Sequence, residues 1–408
     1  MILKSIQQLD GLLPAFSYPQ ALYKETLDSL VPTIANEYAA GLTGACLRRH
    51  IAAIELSSVG LVDYLTAWVA DPWGSVGDNT LAKPQHARPL LGWDYSFGDA
   101  YRAYFTLDAD QTRVFASIAT HLAACGISGA WRTHFAGSTR LRWDNWLLPA
   151  ADFLSVETDG TSATVEYSGP EGAGKVSLRM SDGSWNTEDA EKLHKIDIHG
   201  VTFTVLVRKA LAMRDYEDLT ERALSAVDAR RLGVFIEALD ILAENAPEYL
   251  PWIARTFHQL FLLIPKSGKI ESGSVEHYLG LIHLTEHFEP LPIAELLVHE
   301  ATHQYMNILM KLEPLDDGSD TKLYWSPAVE TVRPVSKIVA AFHAFGNVLL
   351  FYRRCRERGM VNSPECDRQH ALLSGWMRDL IPPITDNPAL TKSGRALCEP
   401  LGQIIAVI

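Results

Sequence analysis

The chain has 408 residues, 47% of them hydrophobic and 21% charged, a balance that fits a globular protein and argues against a disordered or fibrous one. Its formal charge of −13 leaves no general basic field, which argues against nucleic acid and anionic membrane as partners. Five scattered cysteines, Cys46, Cys125, Cys355, Cys366 and Cys398, include no C-x-x-C, so neither a disulfide framework nor a cysteine metal knuckle is expected.

The first residues, "MILKSIQQLDGLLPAFSYPQ", have one lysine and no long apolar core, so no signal peptide is read there. No apolar run of about 18 residues predicts a membrane span. The expected compartment is the cytoplasm. Residues 1–130 read as helical. "QALYKETLDSLVPTIANEYAAGL" and "DADQTRVFASIATHLAACGIS" place apolar residues at three- and four-residue spacing. Between them "DPWGSVGDNTLAKPQHARPLLGWD", rich in Gly, Pro and Asp, reads as a long loop.

Residues 131–214 change texture. "FLSVETDG", "SATVEYSGP", "KVSLRMSDG" and "HKIDIHGVTFTVLV" alternate apolar and polar residues between turn residues, which predicts four to six strands. Such a region could take up a peptide by adding it to a sheet edge. Residues 215–408 return to helix, interrupted by "GSVEHYLGLIHLTEH", read as one strand or a pair. The fold class expected is α+β: mainly helical, with a central antiparallel β-rich region and a zincin-like H-E-x-x-H helix in the C-terminal half.

That helix carries "ELLVHEATHQ". Pro292 suits a first helical turn, where a missing N–H costs little. His299 and His303 are four residues apart, so they share one helical face and can take adjacent corners of one metal. Glu300 lies about 100° further around, the position that reaches metal-bound water in H-E-x-x-H enzymes. The bland alternative is a helix with two surface histidines and an acid.

Two histidines need a further ligand. The extension H-E-x-x-H-x-x-G-x-x-H is absent, because Met306 and Leu309 stand at its Gly and His positions. A second helix, "RPVSKIVAAFHAFGNVLLFYRRC", has Pro334 at its start and His343 inside it, with Val339, Ala340, Gly346 and Asn347 around it. His343 is either the third ligand or a core histidine bonded to a backbone carbonyl. The carboxylate alternative is Glu330, with Asp316, Asp317, Asp320 and Glu313 behind it. Three histidines suit zinc, and two histidines with a carboxylate suit non-haem Fe(II), so ligand count leaves the metal open.

"LLVHEATHQYMNILMKLEPL" followed by "YWSPAVETVRPVSKIVAAFHAF" resembles the H-E-x-x-H domain of enzymes that modify ribosomally synthesised peptides. The elements that carry the resemblance are His299, Glu300, His303, Ser326, Pro327, Arg333, Pro334, His343 and Phe345. It covers roughly residues 270–360. The resemblance implies Fe(II)- and 2-oxoglutarate-dependent hydroxylation of a side-chain β-carbon in a precursor peptide. It implies His299, His303 and His343 as metal ligands. Arg333, with Ser326 and Tyr324 as hydroxyl donors, would hold the far carboxylate of the keto acid, since a guanidinium fork matches a carboxylate. The alternatives are a zinc peptidase with Glu300 as general base, and a non-catalytic peptide-binding protein with a relict site.

Overall fold

The computed structural model describes residues 11–70, 97–99, 101, 111–211, 217–266, 271–287, 289–359 and 363–406. The loop expected over residues 71–94 lies outside the described residues. The expected apolar spacing forms helix α1 (Lys24–Ser57), which passes through β1 (Ser58–Val59) into α2 (Leu61–Ala70) and, further on, α3 (Gln111–Ala124).

The strands that follow are β2 (Gly129–Thr139), β3 (Arg142–Trp143), β4 (Trp146–Leu147), β5 (Ala151–Thr158), β6 (Ser162–Gly169), β7 (Gly172–Ser181), β8 (Ser184–Asn186), β9 (Glu191–Lys192), β10 (His194–Ile198) and β11 (Val201–Leu206). Next come α4 (Glu217–Arg222), α5 (Ala229–Asn245), α6 (Tyr249–Thr256), β12 (Gln259–Leu263), β13 (Ser272–Ser274) and β14 (Leu281–Thr285). The chain closes with α7 (Pro290–Met310), the hairpin β15 (Leu323–Ser326) and β16 (Thr331–Pro334), then α8 (Val335–Glu357), α9 (Pro364–Leu380) and α10 (Lys392–Ile405).

The architecture is α+β. A six-stranded sheet, ordered β1-β2-β5-β6-β7-β8, is antiparallel throughout. Its alternation is plain in β7, where Val176 and Leu178 are buried while Lys175, Ser177 and Arg179 are exposed. A five-stranded sheet, ordered β10-β11-β12-β14-β13, is mixed. Its centre is parallel, β11 to β12 and β12 to β14, and β13 closes one edge antiparallel to β14. All five residues of β12 are buried, as a central strand covered on both faces requires.

Two cores result. One joins the six-stranded sheet to α2, α3 and the second half of α1. The other joins the mixed sheet to α5–α10 and to residues 13–35, which include the first half of α1. Helix α1 therefore belongs to both: Leu27, Val31 and Ile34 pack into one, and Leu47 and Ile54 into the other.

Among the described residues one helix, α8, is long and apolar enough to cross a membrane, and most of it is buried inside the fold. All five cysteines are unbridged.

Candidate functional site

Helix α7 is fastened to the mixed sheet by two side chains one turn apart. Gln304 accepts from the Gly280 N–H at 3.0 Å and donates to the Leu281 carbonyl at 3.2 Å. Glu300 accepts from the hydroxyls of Ser272 and Ser274 on β13, the latter at 2.7 Å. On the far side Tyr305 stacks on Trp252 at 3.6 Å. With these contacts fixed, the stripe His299, His303, Met306, Asn307 and Met310 turns into a cavity of about 490 Å³, a size in the range of small-molecule sites.

The two histidines meet there, Nε2 to Nε2 at 3.1 Å. A metal–imidazole bond is about 2.0–2.1 Å, so two nitrogens at right angles on one metal stand about 3.0 Å apart. The observed spacing fits that geometry, and equally a hydrogen bond from one neutral imidazole to the other. Burial holds His303 down to about 4, with Lys337 adding to the effect. It holds His299 well below the ordinary imidazole range, helped by the neighbouring His303 and His343. Both rings are therefore neutral at pH 7, the form that ligates.

Glu300 is 1% exposed and does not line the cavity. Desolvation pushes its carboxyl up to about 7, against the two serine hydroxyls that favour the charged form.

Helix α8 supplies the opposite wall through Lys337, Ala340, Ala341 and Phe345. The Phe345 ring packs edge-on against His299 at 4.9 Å. The hairpin adds Ser326, Ala328, Val329 and Arg333. The side chains of Arg333 and Lys337 have no ion pair or hydrogen bond with any described residue. The Ser326 hydroxyl is buried without a partner. Glu276 also lines the cavity, with its carboxylate 3.3 Å from Lys311.

The fold does not bring every expected residue here. His343 does not line the cavity, although it packs near enough for its charge to interact with those of His299 and His303, and its Nδ1 is buried without a hydrogen-bond partner. Its Nε2 stands 3.0 Å from the Phe16 carbonyl and 2.8 Å from that of Ser17, in the buried N-terminal segment. Of the two roles weighed for His343, this geometry is that of a core histidine bonded to carbonyls. Gly346 serves the packing of α8 on α10, since a Cβ there would meet Leu401 at 2.8 Å.

Glu330 sits exposed, at φ +50°, in the turn of the hairpin. Asp320 accepts from the Tyr324 hydroxyl at 2.7 Å and from Asn387 at 2.8 Å, which ties Tyr324 outside the cavity. Asp317 lies in the same exposed loop, caught by the Ser319 N–H, and Asp316 accepts from the Gly318 N–H. Glu313 accepts from the Ser393 N–H at 2.9 Å. Among the described residues no group of three His, Cys, Asp or Glu side chains is placed to hold a metal. The donors that the fold brings together are thus the His299–His303 pair, two where a protein metal site usually supplies three or more.

Lys337, Asn307, Glu276, Ser272 and Ser274 were not singled out in the sequence. Asn307 had a signal, lying four residues after His303 on the same stripe. Lys337 had one as well, lying four residues after Arg333 across the start of α8. The chain matches no known protein-family model, and no curated protein is significantly similar to it.

Proposed function

We propose that this protein is a metal-dependent tailoring enzyme acting on a ribosomal precursor peptide, and that its reaction is Fe(II)- and 2-oxoglutarate-dependent hydroxylation of a side-chain β-carbon. The observation that carries the reading is the half-buried Arg333, which forms no ion pair, and the buried, unpartnered Ser326 hydroxyl, both lining one cavity with the neutral histidine pair. A guanidinium and a hydroxyl beside that pair suit a small carboxylate that also reaches the metal, with the exposed Lys337 ammonium at the cavity's rim.

His299 and His303 would hold the metal. Arg333 would pair with the distal carboxylate of the keto acid, and the Ser326 hydroxyl would donate to it. Dioxygen would be the oxidant, one oxygen atom entering the peptide C–H bond as hydroxyl and the other entering the keto acid, which would leave as succinate and carbon dioxide; a bound iron would supply the redox chemistry that couples the two. Glu300, clamped by two serines, would hold α7 against β13 and so fix the histidine that precedes it. The H-E-x-x-H helix beside an antiparallel edge strand is the arrangement we read as zincin-like. The peptide substrate rests on the sequence resemblance over residues 270–360.

One observation favours a second reading, a zinc peptidase. Glu300 is held near 7, where a general base works well at neutral pH. Against it, both carboxylate oxygens already accept from serines and the group lies outside the cavity lining.

The test is an anaerobic titration of 2-oxoglutarate into metal-stripped protein loaded with Fe(II). A visible metal-to-ligand charge-transfer band is expected, lost in His299→Ala and weakened in Arg333→Ala. No band, with one tightly held zinc and peptidase activity abolished by Glu300→Gln, would replace this reading with the hydrolase.

A further inference from the structure

The hairpin that gives the cavity Ser326 and Arg333 is inverted relative to an ordinary amphipathic sheet. Residues directly opposite each other in an antiparallel pair share a face. Tyr324 with Arg333 and Ser326 with Thr331 form one face, while Leu323 with Pro334 and Trp325 with Val332 form the other. The first face carries polar groups toward the cavity and toward Asp320. The second is apolar and points outward: Leu323 is 59% exposed, Trp325 47% and Val332 52%. An antiparallel sheet ordinarily packs its apolar face on the core and leaves the polar one in water.

Among the described residues eleven large hydrophobic side chains are exposed, and four of them, these three and Val329, fall on this one hairpin. Exposed apolar residues scattered singly are ordinary, whereas a cluster marks an interaction surface. Two features say what covers it. Val329, 45% exposed in the turn, also lines the cavity, so the turn joins the outward face to the site. At the other end, the pairing of Leu323 with Pro334 brings Lys322, just before β15, beside the start of α8, whose first turn carries Lys337. Both lysines are exposed, and neither forms an ion pair with a described residue. In a chain of net charge −13, these two ammonium groups beside an apolar face complement a segment whose apolar run ends in acidic residues.

We propose that the outward face of the hairpin docks an extended, apolar stretch of the substrate peptide, with acidic residues at one end near Lys322 and Lys337 and the other end passing Val329 into the cavity. Trp325 is the anchor, since a half-exposed indole offers the largest apolar area on the face. This rests on reading the substrate as a peptide, and deepens it by naming the surface that holds the peptide and the composition it selects.

The test uses the full-length protein and fluorescence anisotropy. The probe is a fluorescein-labelled peptide with valine at alternate positions, threonine between them and a pair of glutamates at one end, made with the glutamates at either terminus. At least one of the two should bind, and its counterpart with lysines in place of glutamates should bind more weakly. Trp325→Ser and Val332→Thr should each weaken binding about tenfold. Circular dichroism on each variant separates lost binding from lost folding, and hydrogen–deuterium exchange should show protection across the hairpin in the complex. No binding, wild-type affinity in both variants, or protection confined to another region overturns the docking surface. So does sedimentation showing a dimer that Trp325→Ser returns to monomer, which would assign the face to a second copy of the chain. Adhesion to phosphatidylserine vesicles that the same variant abolishes would assign it to a lipid surface instead. Hairpin-dependent peptide binding without an iron charge-transfer band would sink the oxygenase reading and leave the docking surface standing. A normal band with no hairpin-dependent binding would do the reverse.

Discussion

The two cores of this protein both bury polar residues but distribute them differently. Around the six-stranded sheet, charged side chains of β7 point outward, and the buried polar residues, among them Thr43, Gln111, Thr133 and Asn145, are scattered over separate helices, strands and turns. Around the mixed sheet, the interior takes in Glu300, Thr302, Gln304, Asn307, Ser326, His343 and Asn347, all on or beside α7 and α8. Buried polar groups are costly unless something answers them. In the second core some are answered by protein, as Glu300 is by two serines, and others face the cavity with no protein partner. What sets the second core apart is that its buried polar groups cluster on two neighbouring helices around one cavity.

The largest expected effect tests that division directly. Leu154→Ala in β5 and Leu297→Ala in α7 both empty a buried position, 1% and 0% exposed, and each should cost about 2–5 kcal/mol in urea unfolding. Only Leu297→Ala should also weaken Co(II) or Fe(II) binding, because it loosens the helix that aims His299 and His303. Equal loss of metal affinity in both variants would erase the distinction between the cores.

Acid should act next, chiefly through the buried histidines of the second core. The ordinary value for histidine is 6.5, and burial lowers His303 to about 4 and His343 to about 3, with His299 lowered as well. Groups with depressed values contribute stability above pH 6.5 that is lost as pH falls through the folded values. Glu300, raised from 4.5 to about 7, runs the other way, favouring the fold at low pH and losing that contribution as pH rises toward 7. With His283, also lowered to about 4 by burial, four histidines stand against two raised carboxyls, Glu300 and Glu295, and leave a net loss, on the order of a few kcal/mol, as metal-free protein is taken from pH 6.5 toward pH 3. Unfolding followed by tryptophan fluorescence across that range measures it, and a flat profile would contradict the neutral-histidine picture.

The smallest effect separates two serines. Ser272→Ala leaves one oxygen of the buried Glu300 carboxylate without a donor, and should cost about 1–3 kcal/mol. Ser326→Ala removes a buried hydroxyl that bonds to no protein atom, and should raise rather than lower the stability of the ligand-free protein. Thermal denaturation of the two variants side by side decides whether Ser326 is held for the fold or for a ligand.

Some of this was legible in the sequence. The four-residue step from His299 to His303 dictates a shared helical face, and the alternation in "KVSLRM" dictates one buried and one exposed face for β7. Glycine 273 was silent, yet a Cβ there would meet the His283 ring at 2.4 Å, so only glycine lets β13 lie beside β14 at that point. The role of Glu300 was open in the sequence because its partners, Ser272 and Ser274, lie 28 and 26 residues away.

By itself, then, the sequence determined the local periodicities, and with them the class of fold and the histidine pair, because both depend on residues within one or two turns of each other. Tertiary structure decided the rest. It turned His343 toward the Phe16 and Ser17 carbonyls more than three hundred residues away in sequence. It brought Lys337 and Arg333 together with Asn307 around one cavity. It also split α1 between two cores. Which face of a helix meets which neighbour depends on the packing of distant segments, and no spacing within the helix encodes it.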